Sequence, residues 1–221
     1  MWRDAGLVAA KDLRVEARSR VATNQVLPFA LLVLILFAFA LDPDRGVLAR
    51  ASAGLFWVTV LFAAVLAIQR SFALEADDAR DALRLSGLDE AGIFLGKAAA
   101  VAVQLLVLEA VLAVGVTVLY DVALRSAALL ALVCVLATVG VAAAGIVYGV
   151  VAAGLRVRDT LLPLLVLPVL APVLLAATRA SEAALDGAVS EAWPWVRLLT
   201  VFAAIYTVFG VVAFGPLLDE A

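Results

Sequence analysis

Long apolar runs recur along the chain, separated by short stretches that hold nearly every charge, and this alternation predicts a bundle of membrane-crossing helices. Residues Val26 to Leu41 carry no charge at all and end at the turn-like Asp42-Pro43-Asp44-Arg45-Gly46. A span needs roughly 20 mostly apolar residues, and the runs 21–41, 51–69, 96–119, 126–154, 160–178 and 195–218 supply six. Within lipid the backbone must bond inside its own segment, so runs of this length read as helices. The expected fold is an all-α integral membrane protein with six transmembrane helices in a single domain, residues 1–221. An N-terminal interfacial helix over residues 1–20 and a cytoplasmic helix-break-helix over residues 70–95, between the second and third spans, complete it.

Composition narrows the class. The chain is 66% hydrophobic with a mean hydropathy of +1.14, which leaves no room for a large soluble domain. Lys and Arg set the orientation. Arg3, Lys11, Arg14, Arg18, Arg20, Arg70, Arg80, Arg84, Lys97, Arg156 and Arg158 fall on one side of a six-span layout, and Arg45, Arg50, Arg125, Arg179 and Arg197 on the other. Both termini are therefore expected in the cytoplasm. No cleaved signal peptide is evident, because the charged leader is long and no clear cleavage site follows the first run, so the first span is expected to stay. Basic residues are too scarce outside the leader for nucleic-acid binding.

The two segments that do not cross the membrane carry the functional pattern. In residues 1–20, Trp2, Gly6, Ala9, Leu13 and Ala17 recur at helical spacing while the basic residues take other faces, as in a helix lying on the inner leaflet. In the second segment, Phe72, Ala76, Ala79 and Leu83 form one apolar stripe, and Glu75, Asp77, Asp78, Arg80, Asp81 and Arg84 fill the remainder. Ser86-Gly87 breaks that helix, and Ser86 with Asp89 three residues later fits a capping box opening the next one. A stripe of this kind suits the docking of a cytoplasmic partner.

These features in this order resemble an ABC-exporter permease, and more narrowly the CcmB family of permease-like subunits in cytochrome c maturation. The matching residues are Lys11-Asp12-Leu13 with Glu16 and Arg18, then Leu48-Ala49-Arg50, Gly54 and Trp57, then Arg70, Phe72, Glu75 and Asp78. Gly96-Lys97 and Leu165-Val166-Leu167-Pro168 with Pro172 follow. The chain departs from the pattern at Ala79 and Gly87, and residues 180–194 match little. The resemblance implies a prokaryotic inner-membrane subunit that is not itself an enzyme. A CcmA-like cytoplasmic ATPase would dock on Arg70, Phe72, Glu75, Asp78 and Leu83, and a CcmC-like membrane subunit would handle haem. Haem and ATP would both be managed by those partners, with no cofactor or metal bound by this chain. The residues agree on two counts. There is no Gly-x-x-x-x-Gly-Lys-Ser/Thr phosphate loop, and with no histidine and Met1 as the only methionine the two commonest neutral haem ligands are missing from the spans.

Within the spans, Glu109 lies about midway along the third, with Gln104 five residues earlier. An ionisable side chain at that depth is a functional candidate, and association of helices through a hydrogen-bonded or protonated Glu109 is the structural alternative. Pro163, Pro168 and Pro172 can free carbonyls and kink the fifth span. Gly145 and Gly149 form a Gly-x-x-x-Gly contact motif in the fourth. Cys134 reads as a packing residue. Two further classes compete with the maturation permease: an ABC permease for a lipid, polysaccharide or drug, and an ion-coupled carrier or intramembrane enzyme built on Glu109. The carrier lacks a second embedded ionisable group and an internal repeat.

Overall fold

The structure, a computed structural model, describes residues 1–19, 25–41, 45–73, 87–153 and 158–220. These residues form seven helices: α1 (Trp2–Ser19), α2 (Leu27–Ala40), α3 (Arg45–Ala73), α4 (Glu90–Leu119), α5 (Ala127–Ala153), α6 (Arg158–Asp186) and α7 (Val189–Glu220). The helices α3 to α7 are each long and apolar enough to cross a bilayer, whereas α2 is apolar but has only 14 residues. At 1.5 Å per residue α2 is about 21 Å long, short of the hydrocarbon core. The described residues therefore hold five helices of spanning length and one shorter, where the hydropathy pattern predicts six equivalent spans.

The longer helices overrun their predicted limits because charges at membrane interfaces end a hydropathy run without ending a helix. The α6 helix continues past residue 178 through Arg179 and Glu182, which pair at 3.0 Å one turn apart, to Asp186. There Ala188 N–H donates to Ala183 O (2.8 Å) and Gly187 N–H to Ala184 O (3.3 Å), with Gly187 at φ +79°. That is a Schellman stop, which needs the left-handed conformation glycine adopts without steric cost. The next helix begins at Val189, so the Trp193-Pro194-Trp195 stretch lies inside α7 rather than before it. At the start of α4, Asp89 is itself the N-cap and accepts from Gly92 N–H at 3.2 Å. The predicted capping box gave Asp89 the reciprocal position instead. Its other half, Ser86, lies outside the described residues.

Small residues decide the packing. The central helix is α5, in contact with α3, α4, α6 and α7, and from Gly140 to Val147 every side chain is buried. A Cβ built on Gly145 would strike Ile68 of α3, and one on Gly149 would strike the Phe72 ring, so the glycine pair is the hole into which two α3 side chains fit. The apolar face of α6 repeats as Leu162, Val166, Leu170, Val173 and Ala177, all buried. Pro168 and Pro172 lie on its exposed face and Pro163 is half-buried, and α6 remains one helix through all three.

Two buried hydrogen bonds tie distant helices together. Trp57 Nε1 donates to Ser181 Oγ (3.0 Å), joining α3 to α6, and Tyr120 OH donates to Leu34 O (3.0 Å), joining the end of α4 to α2. Tyr120→Phe keeps the ring in place and is expected to cost about 1 kcal/mol, the net worth of one such bond. A drop of a few degrees in the unfolding midpoint of the detergent-purified protein checks it; an unchanged midpoint refutes it.

Candidate functional site

The residues singled out from sequence fall into two separate places. The first is the end of the bundle where α3 finishes, α4 starts and α1 lies across both. The α1 helix docks through Ala5 and Val8, both buried, into a groove made by Gly92 and Gly96 of α4. A Cβ on Gly96 would lie 2.6 Å from Val8 Cβ and 2.7 Å from Ala5 O. The expected apolar stripe of Trp2, Gly6, Ala9, Leu13 and Ala17 is a different face. Trp2 is 76% exposed, Gly6 and Ala17 are exposed, and Ala9 and Leu13 are half-buried, which leaves that side available to the membrane interface.

One turn further along, the docked face of α1 becomes acidic and meets cations from both neighbours. Glu16 lies 3.6 Å from Arg70. Asp12 lies 3.8 Å from Lys97 Nζ and 3.1 Å from Lys11. Lys97 is 1% exposed. Its ammonium donates to Ser71 O (3.3 Å) and stands 5.2 Å from the centre of the Phe72 ring, within cation–π range. At the outer end of α1, the amino group of Met1 donates to Asp4 (3.2 Å) and lies 3.5 Å from Asp89. The hydrogen bond to Asp4 raises the amino group's pKa and lowers that of Asp4.

Phe72 is thus turned inward, 3% exposed, between Gly149 and Lys97, and Arg70 faces α1. Glu75, Asp78 and Leu83 lie outside the described residues. The local sequence pattern does not mark Lys97 as the hub of this cluster. The signal that points to it is its position one residue after Gly96, on a helix that otherwise carries few charges.

The second place is inside the membrane. Glu109, 2% exposed, accepts from Thr138 Oγ1 at 2.5 Å through Oε1, while its Oε2 is buried without a hydrogen-bond partner. It lines a cavity of about 330 Å³ together with Cys134, Ser52, Ser181 and Phe56. Gln104 is not part of this site. It borders a smaller space of about 100 Å³ with Glu16 and Arg70, because five residues on a helix turn it well away from Glu109. Among the described residues no group of three or more His, Cys, Asp or Glu side chains could hold a metal ion.

Comparison with known proteins gives the same outline. A family model described as CcmB protein matches residues 5–218. The "Heme exporter protein B" of Pseudomonas aeruginosa is 28% identical over 213 residues, covering 94% of each chain. That of Haemophilus influenzae is 29% identical over 182 residues, covering 80% of each. The Paracoccus denitrificans protein of the same name is 35% identical over 68 residues. In that protein and its Rhodobacter capsulatus counterpart the chain spans about a third of the relative's length, 31% and 32%.

Proposed function

The chain belongs to the CcmB protein family, and on that premise we propose that it is the membrane permease subunit of an ABC-type complex that supports haem delivery for cytochrome c maturation. The observation that carries this is the family match over residues 5–218, together with five spanning-length apolar helices. The subunit sits in the prokaryotic cytoplasmic membrane with both termini inside. A separate CcmA-like ATPase hydrolyses ATP, and a CcmC-like membrane subunit holds the haem. The absence of histidine and the confinement of methionine to Met1 fit a chain that moves or gates its cargo and leaves iron ligation to a partner.

The base of the bundle supplies a route for the motion. Residues 74–89 connect α3 to α4, and the helix ends on either side of that connection are gripped. Phe72 lies under Lys97 and against Gly149, Arg70 pairs with Glu16, and Asp89 caps α4. A push from an ATPase on Glu75, Asp78 and Leu83 therefore reaches α3, α4, α5 and α1 together, through packed side chains with little slack. Pro163, Pro168 and Pro172 give α6 backbone carbonyls without the usual N–H partner, which lowers the cost of bending it during such a motion.

Glu75→Lys combined with Asp78→Lys is expected to abolish co-purification of the ATPase and to lower cytochrome c yield at least several-fold, with the protein still present in the membrane. Unchanged co-purification and yield refute the docking assignment. The reading as a whole is tested by affinity purification from native membrane with a haem spectrum of the product. An ATPase together with a haem-bearing membrane subunit supports it, and an ATPase with some other cargo and no haem replaces it with a general ABC exporter.

A further inference from the structure

The cavity beside Glu109 has features that haem delivery does not account for. It lies between α3, α4, α5 and α6, and past Ala110, Ala131 and Val135, all exposed, it opens sideways toward lipid. Its walls are almost entirely hydrocarbon, and among the described residues lining it Glu109 is the only carboxyl group. Thr138 satisfies one oxygen of that carboxyl, the Cys134 thiol lies against the group as a weak donor, and Oε2 is buried without a conventional hydrogen-bond partner. An unsatisfied carboxyl oxygen in such surroundings is costly, and a hydrogen-bond donor brought in by a ligand removes the cost. Hydrocarbon walls with one convergent polar group are the usual form of a small-molecule pocket, and about 330 Å³ has room for the end of a lipid-like molecule.

We propose that this cavity binds a membrane-dissolved amphiphile whose apolar body ends in a single hydrogen-bond-donating amine, with the amine on Glu109 Oε2. Charge complementarity selects the class: an amine gains a charge-assisted bond to the carboxyl, a hydroxyl gains a weaker one, and a carboxylate is repelled. Haem, which carries two carboxylates of its own, is the wrong chemistry for this pocket, so the proposal stands or falls independently of haem delivery.

The test uses the full-length protein in lipid nanodiscs with three nitroxide-labelled probes that share one tail: stearylamine, stearyl alcohol and stearic acid. The immobilised fraction of each is read by electron paramagnetic resonance. The parent protein is expected to hold the amine about tenfold more tightly than the acid, the factor one charge-assisted bond provides, with the alcohol between them. Glu109→Gln is expected to bring the three within about twofold. Ala131→Phe, which fills the mouth, is expected to reduce the immobilised fraction of all three, and Ala110→Leu does the same from the opposite lip if Ala131→Phe fails to fold. Equal retention of amine and acid by the parent protein overturns the proposal, as does an amine preference that survives Glu109→Gln.

Discussion

Lys97→Glu is expected to lift α1 off the bundle. The parent ammonium is 1% exposed and has Asp12 at 3.8 Å, Ser71 O at 3.3 Å and the Phe72 ring beneath it. A carboxylate there faces Asp12, a carbonyl oxygen and the negative face of an aromatic ring, so each of these three contacts changes sign. Breaking a buried ion pair from one side costs about 3–5 kcal/mol, and Asp12, which keeps Lys11 as a second partner, brings the expectation to the lower end of that range. The readout is a cysteine in place of Val8, buried against Gly96, in a Cys134→Ser background. It is expected to be protected from a soluble maleimide in the parent protein and to label freely with Lys97→Glu. Asp12→Lys added to Lys97→Glu restores opposite charges and is expected to recover part of the protection. If Val8→Cys is labelled equally slowly with and without Lys97→Glu, the cluster does not hold α1 in place.

Gly149→Leu is expected to prevent accumulation of the folded protein. Even a methyl group at this position would overlap the Phe72 ring, which is buried with the Lys97 ammonium over its face. Overpacking of a tight core typically costs about 1–3 kcal/mol, occasionally more, and a leucine where even a Cβ overlaps a ring of α3 belongs at the upper end. The check is the amount of monodisperse protein recovered from membranes, with Phe72→Ala as the second-site change. Gly149→Leu alone is expected to lose most of it, and the pair is expected to regain a substantial share. Normal recovery of Gly149→Leu on its own contradicts the packing described for α3 and α5.

The helical class and the positions of the long apolar elements were legible because lipid imposes one rule on every span, and the run from Ala127 to Ala153 obeys it in plain view; the run from Val26 to Leu41 looks the same, yet its helix is too short to span. The ends were not legible. Hydropathy stops at Arg179 and restarts near Trp195, yet the backbone runs through both boundaries and turns only at Gly187, where left-handed geometry ends α6. The intramembrane pairings were half legible. Glu109 stands out as a lone acid in a long apolar run, but Thr138, which bonds it, looks like any other small residue of α5. Gly145 and Gly149 announce a close contact without naming Ile68 and Phe72 as what fills it. At the base, Gly92 and Gly96 have the same spacing and a comparable role, and the clasp of Asp12 and Glu16 on Lys97 and Arg70 depends on residues far apart in sequence, which no local pattern encodes.

The seat of α1 also bears on how the protein is made. The α1 helix leaves the ribosome before its partners: its counter-charge Arg70 emerges near the end of α3, and the groove of Gly92 and Gly96 with the second counter-charge Lys97 emerges only once α4 begins. Until then Asp12 and Glu16 are held in water or among headgroups rather than paired in the bundle. Closure of α1 onto α4 is therefore a late event in biogenesis, set by the arrival of α4 and not by the insertion of the first apolar run.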